Sequence, residues 1–277
     1  MTALTTKFAT SSDGTRISFA TTGHPDLPSI VLIHGWAQQF ICWQPVLDRL
    51  SDRFHIVALD LRGHGGSDKP DTPEAYNDTA CWGDDVAAVI AAAGVRRPVL
   101  VGWSYGSRVI AAYLDTHGEG AIAGVLLAGG IIAIGAARED WMVGPSSPGL
   151  DRDLHTEDAA RRIAATARFV AGCTKSPLDP ITYAELVGAN MLCPAHVRRA
   201  LFGATVDFRP VFGAMSVPGL VIHGAVDTVV TPATGQAAAA LMSHGRYVAY
   251  ENVGHAPFLE DADRFADDLA HFVEACR

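Results

Sequence analysis

Six short runs rich in valine, isoleucine and leucine punctuate the chain. They are "SIVLIHG" (29–35), "HIVALD" (55–60), "PVLVGW" (98–103), "GVLLAG" (124–129), "GLVIHG" (219–224) and "RYVAYE" (246–251). Most are near-continuous apolar stretches, the pattern of strands buried on both faces of a parallel sheet. Alanine-rich helical stretches lie between them, so the sequence reads as βαβ units in an α/β domain with helices on both sides. Ahead of these runs, "TKFATSSDGTRISFATTG" alternates about Asp13-Gly14, which predicts a hairpin and an antiparallel edge. Helix ends are marked too. "DDVAAVIAAA" (84–93) opens on acid and stops at Gly94, and a second helix runs from behind Ser104 to about His117. Thr231-Pro232 supplies a cap followed by proline at the first helical position.

The rhythm breaks between 131 and 212. "HTEDAARRIAATARFVAG" predicts a helix with Thr156 as N-cap and Gly172 as stop. "TYAELVGANM" has Thr182 and Glu185 at capping-box spacing, and "PAHVRRALFG" follows the Cys193-Pro194 break. The expected organisation is a core of residues 1–130 and 213–277, with a helical cap insertion over 131–212. Such an insertion would cover the carboxyl edge of the sheet, where open α/β sheets bind ligands. The longest uncharged stretch, 121–137, is divided by Gly129-Gly130, and neither half is long enough to span a bilayer. It reads as a buried strand followed by a loop.

Composition narrows the partners. At 277 residues and 49% apolar content the chain can bury a sizeable core. Its 21 basic and 30 acidic residues give a net charge of −9 without any like-charge block, which argues against nucleic acid or an anionic membrane as partner. The five cysteines are scattered and odd in number, with no CxxC spacing, so neither a disulfide framework nor a zinc site is expected. With no apolar leader in the first twenty residues, a cytoplasmic location is the expectation. Nothing in the sequence fixes an oligomeric state.

The chemistry is concentrated in Gly102-Trp103-Ser104-Tyr105-Gly106, placed where a buried strand hands over to a helix. Such a turn raises one hydroxyl above the sheet, and flanking glycines let backbone approach closely: a nucleophile elbow. A serine needs a base and an orienting carboxylate, in the order Ser, acid, His, each at a strand's carboxyl end. "HGAVDTVVTP" places Asp227 beyond one late strand, and "ENVGHAPF" places His255 beyond the last. Glu251, Glu139, Asp140 and Asp207 are more poorly placed carboxylates. His34, His64 and His223 adjoin glycines and are expected to brace turns. Oxyanion donors are expected from the backbone amides of Tyr105 and Trp36. Trp36, Trp103 and Tyr105, with Trp141, Met142 and Phe169 from the insertion, suggest an apolar substrate pocket. No metal-ligand spacing appears, so the mechanism should need no metal or cofactor and be indifferent to chelators.

These residues also form a pattern. "HGW", "DLRGHGGSDKP", "GWSYG", "HGAVD" and "GHAPF" occur in the order and approximate spacing of the α/β-hydrolase superfamily, and the resemblance spans essentially the whole core. The chain resembles most the cofactor-free bacterial carboxylesterases grouped with non-haem chloroperoxidases or perhydrolases. "GWS" and "HAPF" are also similar to the pimeloyl-carrier-protein methyl ester esterases. The resemblance implies acyl transfer to water by Ser104, His255 and Asp227, with Trp36 and Tyr105 as oxyanion donors and a small-molecule acyl substrate. Serine at 104 argues against branches with an aspartate nucleophile. Ser107 departs from the many relatives with a second glycine there. Asp60, Arg62 and His64 of "DLRGHGGS" are expected to hold loops. The same triad serves C–C bond hydrolases, lactonases, thioesterases and perhydrolases, while a non-catalytic ligand-binding protein on this scaffold is disfavoured by an intact triad.

Overall fold

The computed structural model describes residues 4–277; the first three residues of the expected 1–130 core segment lie outside the described residues. An eight-stranded sheet forms its centre. The strands are β1 (Thr5–Thr10), β2 (Arg16–Thr22), β3 (Ser29–Ile33), β4 (His55–Leu59), β5 (Val99–Trp103) and β6 (Gly124–Ala128). After them come two short strands that pair only with each other, β7 (Ala133–Ile134) and β8 (Val206–Asp207). The sheet is completed by β9 (Gly219–Gly224) and β10 (Gly245–Tyr250), in the order β1-β2-β4-β3-β5-β6-β9-β10.

The expected hairpin is present. β1 and β2 pair antiparallel around Gly14, whose φ of 86° suits a residue without Cβ. β2 also runs antiparallel to β4, and the remaining pairings of the eight-stranded sheet are parallel. Every residue of β3, β4, β5, β6 and β9 is buried. Alternate side chains feed opposite layers: Val31, Ile33, Leu100 and Leu127 on one face, and Ile30, Leu32, Val101 and Leu126 on the other. That two-sided burial is why these runs lack a polar alternation.

Local capping explains the helix limits. The helix Thr79–Ala93 starts earlier than its apolar pattern suggests, because the Asp78 carboxylate accepts from the Ala80 amide at 2.9 Å; it ends as expected at left-handed Gly94. Two expected caps are corrected. The helix Ala159–Gly172 is capped by Asp158, which accepts from Arg161 N at 3.1 Å, while Thr156 accepts from Asp158 N one step earlier. The helix Pro180–Met191 is capped by Asp179 rather than Thr182. In both cases a carboxylate is the stronger acceptor for free first-turn amides, and Pro180 presets the helical φ.

Strand order decides where a site can form. From β3 the chain moves outward to β4, then returns across β3 to β5 and continues outward through β6, β9 and β10. The reversal lies between β3 and β5. Connections there leave on opposite sides and open a crevice at the carboxyl ends of the two strands. Between β6 and β9 the chain carries β7, β8, short 3-10 turns and the helices Ala159–Gly172, Pro180–Met191, Ala195–Ala200 and Arg209–Gly213. Among the described residues no helix is long and apolar enough to cross a membrane.

Candidate active site

Ser104 stands one residue past β5, at the reversal. Its φ is 52°, a left-handed conformation costly for a residue with a Cβ, and its amide donates to Ala128 O at 2.9 Å. The flanking glycines are steric necessities. A Cβ on Gly102 would lie 2.8 Å from the Gly106 backbone, and one on Gly106 would lie 2.5 Å from the Ile33 carbonyl. Neither clash involves a flexible side chain that could move aside. The elbow is therefore wedged against the end of β3.

The loop after β3 is held by two neutral histidines. His34 donates from Nδ1 to Gly35 O at 2.8 Å and accepts the Leu61 amide at Nε2, 3.0 Å. His64 donates from Nδ1 to Arg62 O at 2.8 Å and accepts the Ala37 amide at Nε2, 3.1 Å. Ala37 itself is left-handed at φ 55°, so the loop bends sharply just after Trp36. Among the described residues no protein acceptor takes the backbone amide of Trp36 or of Tyr105. Asp60 holds the same region by accepting from Phe40 N and Gly66 N, each at 2.8 Å. Arg62 is turned away, forked onto Asp85 with both contacts at 2.7 Å.

Beyond β9 and β10, Asp227 and His255 meet. His255 Nδ1 lies 2.8 Å from Asp227 Oδ2, and both residues are buried. Asp227 Oδ1 accepts from the amides of Val229 and Val230 at 2.8 and 3.0 Å. Burial pushes this carboxyl upward, but the nearby His255 and His223 rings and their hydrogen bonds outweigh it and hold Asp227 below the ordinary carboxylate range. An acceptor-only carboxylate at Nδ1 assigns the proton there and leaves Nε2 with its lone pair. The His255 backbone is fixed from two sides: Trp103 Nε1 donates to its carbonyl at 2.9 Å, and its amide donates to Cys173 O at 2.8 Å. Among the described residues no hydrogen bond joins the Ser104 hydroxyl to the His255 ring.

The sequence reading missed a partner. His223, expected to brace a turn, does reach Val230 O at 3.1 Å, but its Nε2 also lies 3.0 Å from Asp227 Oδ2. It sits four residues before Asp227, and that spacing was the only available signal. Glu139 is occupied by Arg209 at 2.6 Å and Trp141 Nε1 at 2.8 Å, and Asp207 by Arg209.

A narrow cavity of about 50 Å³ opens on Ser104 and is walled by Trp36, Tyr105, Ile131, Ile134, Arg138, Met142, Phe202 and Val230, among others. Three expected pocket residues are elsewhere. Trp103 points to the opposite sheet face and packs on Phe258; Trp141 is exposed; Phe169 stands behind Trp36, edge to face at 5.4 Å. The missed wall, residues 131–134, runs from the end of the turn after β6 into the short strand β7, and an apolar stretch with no helix or strand period was its signal. A larger cavity of about 630 Å³ lies at the amino ends of β3, β5 and β6, remote from Ser104.

The model of the Alpha/beta hydrolase family matches residues 30–268. The chain belongs to this family. It is 32% identical over 261 residues to a pimeloyl-[acyl-carrier protein] methyl ester esterase of Stenotrophomonas maltophilia, covering 90% of this chain and 93% of that protein. A non-heme chloroperoxidase of Streptomyces lividans is 28% identical, covering 96% and 99%. A crystal structure of an esterase from a Rhodococcus species superposes with a TM-score of 0.93 at 36% identity, covering 98% of this chain and 99% of that one.

In this alpha/beta hydrolase the two loop histidines predict an acid limit to stability. Burial pushes His34 down to about 4, partly opposed by its bond to Gly35 O, and burial carries His64 well below its ordinary value of 6.5. In the unfolded chain both bind a proton near 6.5, so the unfolded state takes up more protons as the pH drops. Stability is full above that value, falls as the pH decreases through it, and levels off near the folded values. For His34 alone the loss amounts to about 3 kcal/mol by pH 4. Thermal midpoints measured from pH 8 to 5 should fall, and a flat profile would show that these imidazoles are not held neutral.

Proposed function

We propose that the chain is a carboxylic-ester hydrolase acting through an acyl-enzyme, with Ser104 as nucleophile, His255 as base and Asp227 as its orienting carboxylate. The observation that carries the reading is the 2.8 Å contact of His255 Nδ1 with Asp227 Oδ2, which leaves Nε2 as the proton acceptor. Nε2 takes the Ser104 proton as Oγ attacks the ester carbonyl carbon. The carbonyl electrons move onto oxygen, where the amides of Trp36 and Tyr105 are free to donate. Collapse of the tetrahedral intermediate breaks the bond to the alcohol, which leaves with the proton from His255. Water, deprotonated by the same ring, then releases the acid and restores the serine.

Residues 131–212 act in this reading as a cap. Supporting this, Cys173 O holds the amides of both His255 and Ala256, and Arg138, Met142 and Phe202 wall the cavity. The cavity is far smaller than the ~300–1,000 Å³ of sites for drug-sized ligands, which favours a small acyl group. Five free thiols, four of them buried, fit a cytoplasmic location. Similarity to a chloroperoxidase favours one variant, with peroxide replacing water as acyl acceptor.

The test is a chain-length series of p-nitrophenyl esters run beside thioester, lactone and diketone substrates, with and without hydrogen peroxide. Short-chain esters should be turned over fastest, with peracid formed when peroxide is present. Faster turnover of the diketone or thioester would reassign the scissile bond.

A further inference from the structure

One cation in the cavity has no counter-charge among the described residues. Arg138 lines the same space as Ser104, and burial holds its guanidinium below its ordinary pKa. Among the described residues the guanidinium makes one hydrogen-bond contact, Nη1 to the Ser147 hydroxyl at 3.5 Å, the weak limit for such a bond. In the same segment Arg161, Arg168, Arg199 and Arg209 each pair with a carboxylate, while Arg162 and buried Arg198 donate to neutral oxygens, Arg198 to Cys193 O at 2.9 Å and Asn190 Oδ1 at 2.7 Å. Of the nearby acids in sequence, Glu139 pairs with Arg209 and Asp151 with Arg168, while Asp140 is exposed and makes no ion pair with Arg138. Among the described residues no carboxylate forms an ion pair with Arg138.

A half-buried guanidinium with five donors and no acid is costly unless an anion completes it. The rest of the wall gives it no such partner. Ile131, Ile134, Met142, Pro148 and Phe202 are apolar; the Ser147 hydroxyl is the weak partner already named, the Thr234 hydroxyl is bonded to Thr231, and neither carries a charge. The planar fork of an arginine matches a carboxylate with two parallel bonds. We infer that the ester cleaved at Ser104 carries a free carboxylate at the far end of its acyl chain, bound by Arg138. This rests on the ester-hydrolase reading above. The substrate class is a monoester of a short dicarboxylic acid.

The experiment compares monomethyl succinate, glutarate and adipate with methyl esters of the uncharged acids of equal chain length. One carboxylate ester should exceed its neutral counterpart in kcat/KM by about ten- to a hundredfold, the worth of a charge-assisted bond, chiefly through KM. Arg138→Gln should collapse that ratio toward one, and Arg138→Lys should recover part of it. Equal rates for charged and neutral esters, or an Arg138→Gln variant that slows both series by the same factor, would overturn the inference. A second arm measures equilibrium binding of free glutarate, which needs no turnover. Glutarate binding that is lost in Arg138→Gln supports the subsite even if no ester is hydrolysed, in which case only the hydrolase reading fails. Absence of glutarate binding to the unaltered protein overturns the subsite while leaving hydrolysis of neutral esters to be judged alone.

Discussion

Ser104→Ala is expected to lower kcat/KM for a p-nitrophenyl ester by about a million-fold while leaving the fold intact. In the proposed mechanism Oγ is the atom that forms the acyl bond, and neither His255 nor Asp227 could replace it. Loss of the nucleophile or of the base alone costs nearly as much as loss of all three members, because attack and proton transfer act as one step. The substitution leaves the φ of 52° and both wedged glycines in place, so the thermal midpoint should change little. A serine-directed phosphonate should add one adduct to the unaltered protein, on Ser104, and none to the variant. Ser107, three residues on, is the control: its hydroxyl is buried against Gly130 and faces no base. An adduct on Ser107, or near-normal turnover by Ser104→Ala, would remove Ser104 from the mechanism.

The second large effect belongs to Asp227→Asn, expected to lower kcat by about ten-thousandfold. Asp227 offers oxygen in every direction: Oδ2 to His255 and His223, Oδ1 to the Val229 and Val230 amides. An amide can satisfy only one side. With its NH2 toward His255, it donates to Nδ1, drives the ring proton to Nε2, and abolishes the base. With its NH2 toward the loop, it faces two backbone donors and leaves both without an acceptor, at about 1–3 kcal/mol for each buried group. Activity should therefore fall steeply, and the thermal midpoint should drop if the second orientation is taken. Glu251→Gln and Glu139→Gln, whose carboxylates face solvent or Arg209, should stay within about threefold of the unaltered enzyme. A larger loss in either than in Asp227→Asn would assign the orienting role to another acid.

What the sequence determined by itself was whatever depends on short range. The β-branched runs of β3, β4, β5, β6 and β9 declare two-sided burial because each residue's environment is set by a period of two. The turn at Gly102–Gly106 is legible for the same reason: five residues at one strand end contain both the exposed hydroxyl and the glycines that their own close packing demands. Asp227 and His255 could be named because β9 ends at Gly224 and β10 at Tyr250, a few residues before them, and parallel strands bring all carboxyl ends to one edge.

Tertiary structure decided the rest. Whether Asp227 faces His255, 28 residues away, depends on how two loops fold over neighbouring strands, and His223 joins them from within β9. Trp103 adjoins Ser104 in sequence yet packs on the far face, because consecutive residues at the end of a strand point to opposite sides. Arg138 and Phe202 stand 64 positions apart and wall one cavity; no local period links them, only the return of the segment between β6 and β9 across the crevice. The helix caps at Asp158 and Asp179 were misplaced by two or three residues, since a nearby threonine offers the same kind of acceptor and only the folded backbone selects between them. Local spacing carries chemistry as far as one turn or one strand end. The contacts that orient a carboxylate, free an amide or leave an arginine without a counter-charge are made across the chain, and no period in the sequence records them.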